Sequence, residues 1–123
     1  MKIVLASYFE PENHGPGRKI GITSGKPRDV ECDFKFEPLD PGDLYWDYKN
    51  GTISGEQFVE GYNQKMRSFV DEVKAEAEDG NVFEVLPFEE GDTLMSWEHS
   101  GHLTFRRITA EYLRELGYDV VEN

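Results

Sequence analysis

The side chains with the most chemistry to offer crowd the stretch from Trp97 to Arg107, a polar turn that runs into an amphipathic segment. Arg106 and Arg107 fall in the first two turns of the helix expected there. Arginine forks beside the free N–H groups of a helix start suit a phosphate or a carboxylate. Two parallel donors match two acceptor oxygens, and the helix end adds partial positive charge. Arg18, Lys19, Lys26 and Arg28 come from early loops, and Ser7 with the His14 loop is expected at the same rim. These residues read as an anion pocket for a phosphate, a nucleotide or a nucleic-acid end. Its expected members are Ser7, Arg18, His99, His102, Thr104, Arg106 and Arg107. The plainer alternative is that Arg106 or Arg107 pairs with Glu98, Glu111 or a nearby acid and only orders the turn.

Other constellations are weaker. His99 and His102 are three apart, with Glu98 adjacent, a spacing open to acid–base work or to two metal ligands completed by His14 or by an acid elsewhere. Helix-capping or surface histidines fit the same spacing, and no metal and no cofactor are expected. Ser24-Gly25-Lys26 lacks the full glycine-lysine pattern of a phosphate loop. Trp46 and Trp97 read as core or rim packing, with stacking on a base as the alternative. Cys32 is the single cysteine, which excludes internal disulfides and gives no metal-binding spacing.

The elements that must position the pocket are legible in outline. Thr93 to Trp97 is a short apolar run, then comes a turn in which Ser100 or His99 can cap a helix. Leu103, Ile108, Tyr112, Leu113 and Leu116 recur at three- and four-residue steps, one helical face. Gly117 is placed to end that helix in a left-handed conformation, and Tyr118 to Val121 reads as a strand. Strand, helix and strand in about 30 residues is the size of a right-handed parallel crossover, whose pockets lie beyond the carboxyl ends of the strands.

Earlier in the chain, Lys2 to Ser7 is a continuous apolar strand and Arg18 to Thr23 a second one. Residues 28–39 are irregular or extended. Asp40-Pro41 looks like a helix start, with a short helix carrying Leu44, Tyr45 and Tyr48 to Asn50-Gly51. Ser54 to Gln57 matches a capping box, and the helix it opens runs to about Glu78 with Phe58, Tyr62, Met66, Phe69, Val73 and Ala77 on one stripe. Asn81 to Leu86 alternates and reads as a strand closed by Pro87. The expected fold is a single α/β domain over residues 1–123, a mostly parallel sheet with flanking helices in two or three layers.

Length and composition bound the class. The chain has 123 residues, enough for one core, and no apolar run approaches the roughly 20 residues of a membrane span. The N-terminus reads as a strand and not as a signal peptide, and with one cysteine the expected setting is the cytoplasm. Net charge is −12, with residues 1–28 at +3, residues 29–98 at −14 and the remainder at −1. A general nucleic-acid binder carries a basic excess, so binding to bulk nucleic acid is not expected.

Three features resemble one known family, the small bacterial and archaeal domain-of-unknown-function family 488. They are the opening strand ending in Ala6-Ser7-Tyr8, the segment Gly17-Arg18-Lys19-Ile20-Gly21-Ile22 followed by Gly25-Lys26-Pro27, and the late strand Leu94-Met95-Ser96-Trp97-Glu98 leading to a helix ending Ala110-Glu111-Tyr112-Leu113. The resemblance covers nearly the whole chain. The family usually carries Cys-His-Arg at the start of that last helix, and the matching positions here are Thr104, Phe105 and Arg106. The resemblance therefore implies a fold and a catalytic apparatus that has lost its thiolate. Whether the chain is an enzyme stays open on these grounds.

A reading of another class stands beside the anion pocket. Acids along the 55–78 helix and the 29–47 segment can imitate a nucleic-acid backbone and occupy a basic site on a partner protein, as an accessory protein of a virus or mobile element would. Acids such as Glu72 and Glu76 near a helix C-terminus gain nothing from the helix dipole, so they serve solvation or a basic partner.

Overall fold

The computed structural model describes residues 1–98 and 104–123, and for Thr104 only its backbone. Five strands form one sheet: β1 (Lys2–Ser7), β2 (Lys19–Gly21), β3 (Phe34–Lys35), β4 (Thr93–Ser96) and β5 (Asp119–Glu122). Their order is β3-β2-β4-β1-β5, and every neighbouring pair is parallel. The domain is thus α/β with an all-parallel sheet. β1, buried from Ile3 onward, and β4, buried throughout, take interior positions, as strands with no polar face must.

Three helices accompany the sheet: α1 (Asp43–Lys49), α2 (Gly55–Glu76) and α3 (Thr104–Glu115). They share one side, α1 against α2 and α2 against α3. Alternation along the strands sends Ile3, Leu5, Ile20, Leu94 and Val120 into the core with the helices. Phe58, Tyr62, Met66, Val70 and Val73 bring the buried stripe of α2 to meet them. The Tyr62 hydroxyl donates to the Leu39 carbonyl and is 2.7 Å from Thr109 Oγ1, fixing α2 to α3 from inside the core.

The other sheet face carries Val4, Ala6 and Met95, and the loop between β1 and β2 lies on it. A Cβ on Gly15 would come within 3.0 Å of Val4 Cγ2, and one on Gly17 within 2.7 Å of the Gly91 backbone. Glycine lets that loop press onto the sheet where a helix would need more room. The arrangement is two layers of regular structure with an irregular cover.

Three boundaries differ from the sequence expectations. Val82–Glu84 is a 3₁₀ turn, not a strand. Its apolar side chains tuck inward, with the Phe83 ring 4.8 Å from that of Tyr118, so a turn meets the burial that the alternation demanded. The cap of α1 is Gly42 at φ 63°, not Asp40. Asp40 instead accepts from the N–H groups of Gly42 and Ser24, pinning the entry to α1 against the end of β2. Within the extended 28–39 segment, Phe34–Lys35 forms the edge strand β3. Ser54 and Gln57 make the expected capping box, and Gly117 ends α3 at φ 103°. Among the described residues no helix is long and apolar enough to cross a membrane.

Candidate anion site

In a parallel sheet every residue that follows a strand arrives at the same edge. Ser7 and Ser96 are register partners at the carboxyl ends of β1 and β4, and both are fully buried. Their hydroxyls meet different fates. Ser7 Oγ accepts from the Phe9 N–H at 3.1 Å, whereas Ser96 Oγ finds no partner among the described residues. The chain leaving β1 curls back over this edge. His14 Nε2 lies 2.8 Å from the Ser7 carbonyl, and Asn123 Nδ2 donates to the Asn13 carbonyl.

Glu98 stands two residues beyond β4 and is 6% exposed. Its Oε1 accepts from the Arg106 N–H at 3.2 Å, so the entrance of α3 is capped in part by the protein's own carboxyl group. Burial pushes that carboxyl up to about 7, against the pull of the Arg106 N–H and the positive charges of Arg106 and Lys49. Near neutral pH the group exchanges its proton readily.

The Arg106 side chain is 1% exposed. Nη1 donates to the main-chain oxygen of Asn123 at 2.9 Å, just past β5. Nε and Nη2 are buried and have no acceptor among the described residues. Those two nitrogens form one edge of the guanidinium, the edge that grips two oxygens of a carboxylate or phosphate at once. Burial lowers the affinity of the guanidinium for its proton, opposed by the charges of Glu98, Glu10 and Glu122, yet it remains a cation at any physiological pH. A buried cation with an empty fork is costly, since donors taken from water have nothing in return. An oxyanion seated on Nε and Nη2 would remove that cost.

Of the residues expected to build the pocket, Ser7 and Arg106 are brought to this edge, and His14 comes with them. Arg18 is not. It precedes β2, which puts it at the amino edge, where Nε and Nη2 grip the buried Asp92 at 3.2 and 2.7 Å. Arg107 is exposed and faces Glu122 at 3.6 Å, an ion pair between α3 and β5. Lys19 and Lys26 donate to the carbonyls of Gly15 and Val30, within their own loops. The early bases therefore do not converge on the α3 entrance. His99 and His102 lie outside the described residues, as does the Thr104 side chain. Phe105, where the resembling family has histidine, is fully buried between the rings of Tyr45 and Tyr62.

Ser96 was missed as a site feature, and the pairing of Arg106 with Glu98, expected as the plainer alternative, is made through the Arg106 N–H. A signal existed: the segments Lys2–Ser7 and Thr93–Ser96 both end an apolar run with serine, which predicts two hydroxyls at neighbouring strand ends. Among the described residues no group of three His, Cys, Asp or Glu is placed to hold a metal. No family model, curated protein or solved structure matches the chain.

Proposed function

We propose that the protein binds a small oxyanion, a phosphate, a nucleotide phosphate or a nucleic-acid end, on the Nε/Nη2 edge of Arg106. The supporting observation is the guanidinium itself, enclosed and half-satisfied at the carboxyl edge of a parallel sheet, where such folds hold their ligands. In this reading the likeness to domain-of-unknown-function family 488 extends to the arginine and not to the reaction. Thr104 and Phe105 stand at its Cys-His positions, and a core phenylalanine neither accepts nor donates a proton, so that family's catalytic apparatus is degenerate here.

The test is a thermal-shift titration with inorganic phosphate, sulfate and nucleoside monophosphates. An occupied site stabilises by mass action, by about 2.7 kcal/mol at a hundred times Kd. The wild-type melting temperature should rise and saturate. Arg106→Lys, which keeps the charge but not the fork, should lose most of that rise, and Arg107→Gln should keep it. An unmoved melting temperature at tens of millimolar anion, or a full response from Arg106→Lys, would refute the proposal.

A second reading, an acidic face for a basic protein partner, draws on α2. Of its three bases, Arg67 and Lys74 turn to Glu115 of α3 and Lys65 to the Asp40 carbonyl, while Glu56, Glu60, Asp71, Glu72 and Glu76 stay exposed. Salt-sensitive binding to polylysine, lost on neutralising Glu72, Glu76 and Glu78, is its signature.

A further inference from the structure

A separate cavity of about 150 Å³ opens at the same edge of the sheet, between the ends of β2 and β4. Its walls are aromatic: Tyr45 and Trp46 from α1, Phe105 from α3 and Trp97 from beyond β4. The rings stand across one another. Tyr45 meets Trp46 at 77° and Phe105 at 76°, with centroids 5.1 and 5.7 Å apart. Tyr8 and Phe9 hold the Trp97 ring from the side, at 5.6 and 5.9 Å. Adjacent walls near right angles make the corner of a box, which suits a rounded group better than a flat one. Sites for whole small molecules run to about 300–1,000 Å³, so this box takes a head group.

The polar wall gives the sign of the charge. Asp40 lines the cavity beside Thr23 and Ser24. Its carboxyl oxygens accept from the N–H groups of Ser24 and Gly42, and among the described residues no cation lies within ion-pair distance of them. Lys65 bonds the main-chain oxygen of Asp40, not its carboxylate. Thr23 Oγ1 is committed to the Gly25 carbonyl and the Tyr8 hydroxyl. An acidic residue lining a cavity together with aromatic rings suits a cation too weakly hydrated to resist burial, because ring faces attract positive charge without a proton donor. The protein already displays the preference, with Lys49 Nζ 5.5 Å from the centre of the Tyr45 ring. A net charge of −12 draws cations and repels anions at long range.

We propose that this aromatic box is a binding site for an alkylated ammonium group, such as a methylated lysine side chain or a choline-like head. The site is independent of the anion at Arg106. Trp46 is half exposed at its mouth and closes one wall, while Asp40 supplies the countercharge.

Both tryptophans of the chain line the box, so intrinsic fluorescence reports on it directly. Tetramethylammonium and choline chloride are titrated against the full chain, with sodium chloride at matched ionic strength as the blank. The expected result is a saturable change in emission, at least about tenfold weaker for the uncharged tert-butyl isostere of choline. Trp46→Ala, a surface change that leaves Trp97 as reporter, should abolish saturation. Asp40→Asn, which keeps an acceptor for the loop, should weaken binding about tenfold. Equal affinity for the isostere would mean an apolar pocket and not a cation site. Binding of adenine without binding of either ammonium would mean a planar-ring site. Either result, or no saturable change with the ammonium ions, overturns the proposal.

Discussion

Glu98 is the residue whose titration can be read from outside. Its folded carboxyl titrates near 7, well above its ordinary 4.5, because burial penalises the charged form by more than Arg106 and Lys49 return. Between those two pH values the folded state keeps a proton that the unfolded chain releases. The group's contribution is therefore complete below about 4.5 and is lost as pH rises through 7. At 1.36 kcal/mol per unit the loss is roughly 3 kcal/mol. Glu98→Gln keeps an acceptor for the Arg106 N–H and removes the titration. Urea unfolding should show the variant gaining on wild type by most of that amount between pH 5 and pH 8, and parallel curves would refute the assignment. A bound anion disfavours the ionised form, so sulfate, whose own charge is constant here, should bind wild type more tightly at pH 6 than at pH 8. At this scale the placement of Arg106 at the entrance of α3 was legible from its position after the polar turn. Arg18 was misassigned, although its position before a strand already sends it to the opposite edge of a parallel sheet.

Elements are held in place by contacts that sequence patterns report unevenly. The capping box of α2 is local, four residues whose side chains and backbone serve each other, and it stands as read. Ser54→Ala should cost about 1 kcal/mol in chemical unfolding. The strand expected over 81–86 failed because alternation records burial and not backbone shape, and Val82 and Phe83 satisfy it from a turn that packs on α2 and on Tyr118. Invisible in any local pattern is the clamp at the amino edge. Asp92 takes Nε and Nη2 of Arg18 together with the N–H groups of Arg18 and Glu89, and so ties β2 to β4. Burial alone would raise its carboxyl, but the bonds from Arg18 and the two N–H groups outweigh that and hold it below the ordinary range. Its stabilisation is therefore present near neutral pH and lost as pH falls below about 3.8. Asp92→Ala strands the two amides, while the one-third-exposed Arg18 guanidinium keeps the Pro87 carbonyl and Glu89. The expected loss is on the order of 2–3 kcal/mol, less than for a fully buried pair. A loss under half a kcal/mol in urea unfolding would show that the clamp is ornamental.

For the molecule as a whole, the charge asymmetry along the chain does not become a basic patch in space. The bases of residues 1–28 are dispersed over the amino edge and the early loops, while the acids of α2 remain in a row at the surface. Two salt-dependent effects then oppose each other. Pairs at the surface such as Arg67 with Glu115, and the half-exposed Arg114 with the more enclosed Glu122, stabilise, but water and side-chain freedom keep each contribution small. Repulsion among the surplus acids destabilises, with no pairing to offset it, and Asp71, Glu72 and Glu76 also face the negative end of their own helix. Screening shortens from about 10 Å at 0.1 M to about 3 Å at 1 M, so salt removes the diffuse repulsion as well as the pairs. With a net −12 the repulsion is the larger sum. The melting temperature in dilute buffer should rise with sodium chloride and level off by about 0.5 M. Neutralising Glu72, Glu76 and Glu78 to glutamine should raise the low-salt value and shrink the gain. A melting temperature that falls with salt would mean that the ion pairs outweigh the repulsion, and the row of acids on α2 would then carry no strain for a basic partner to relieve.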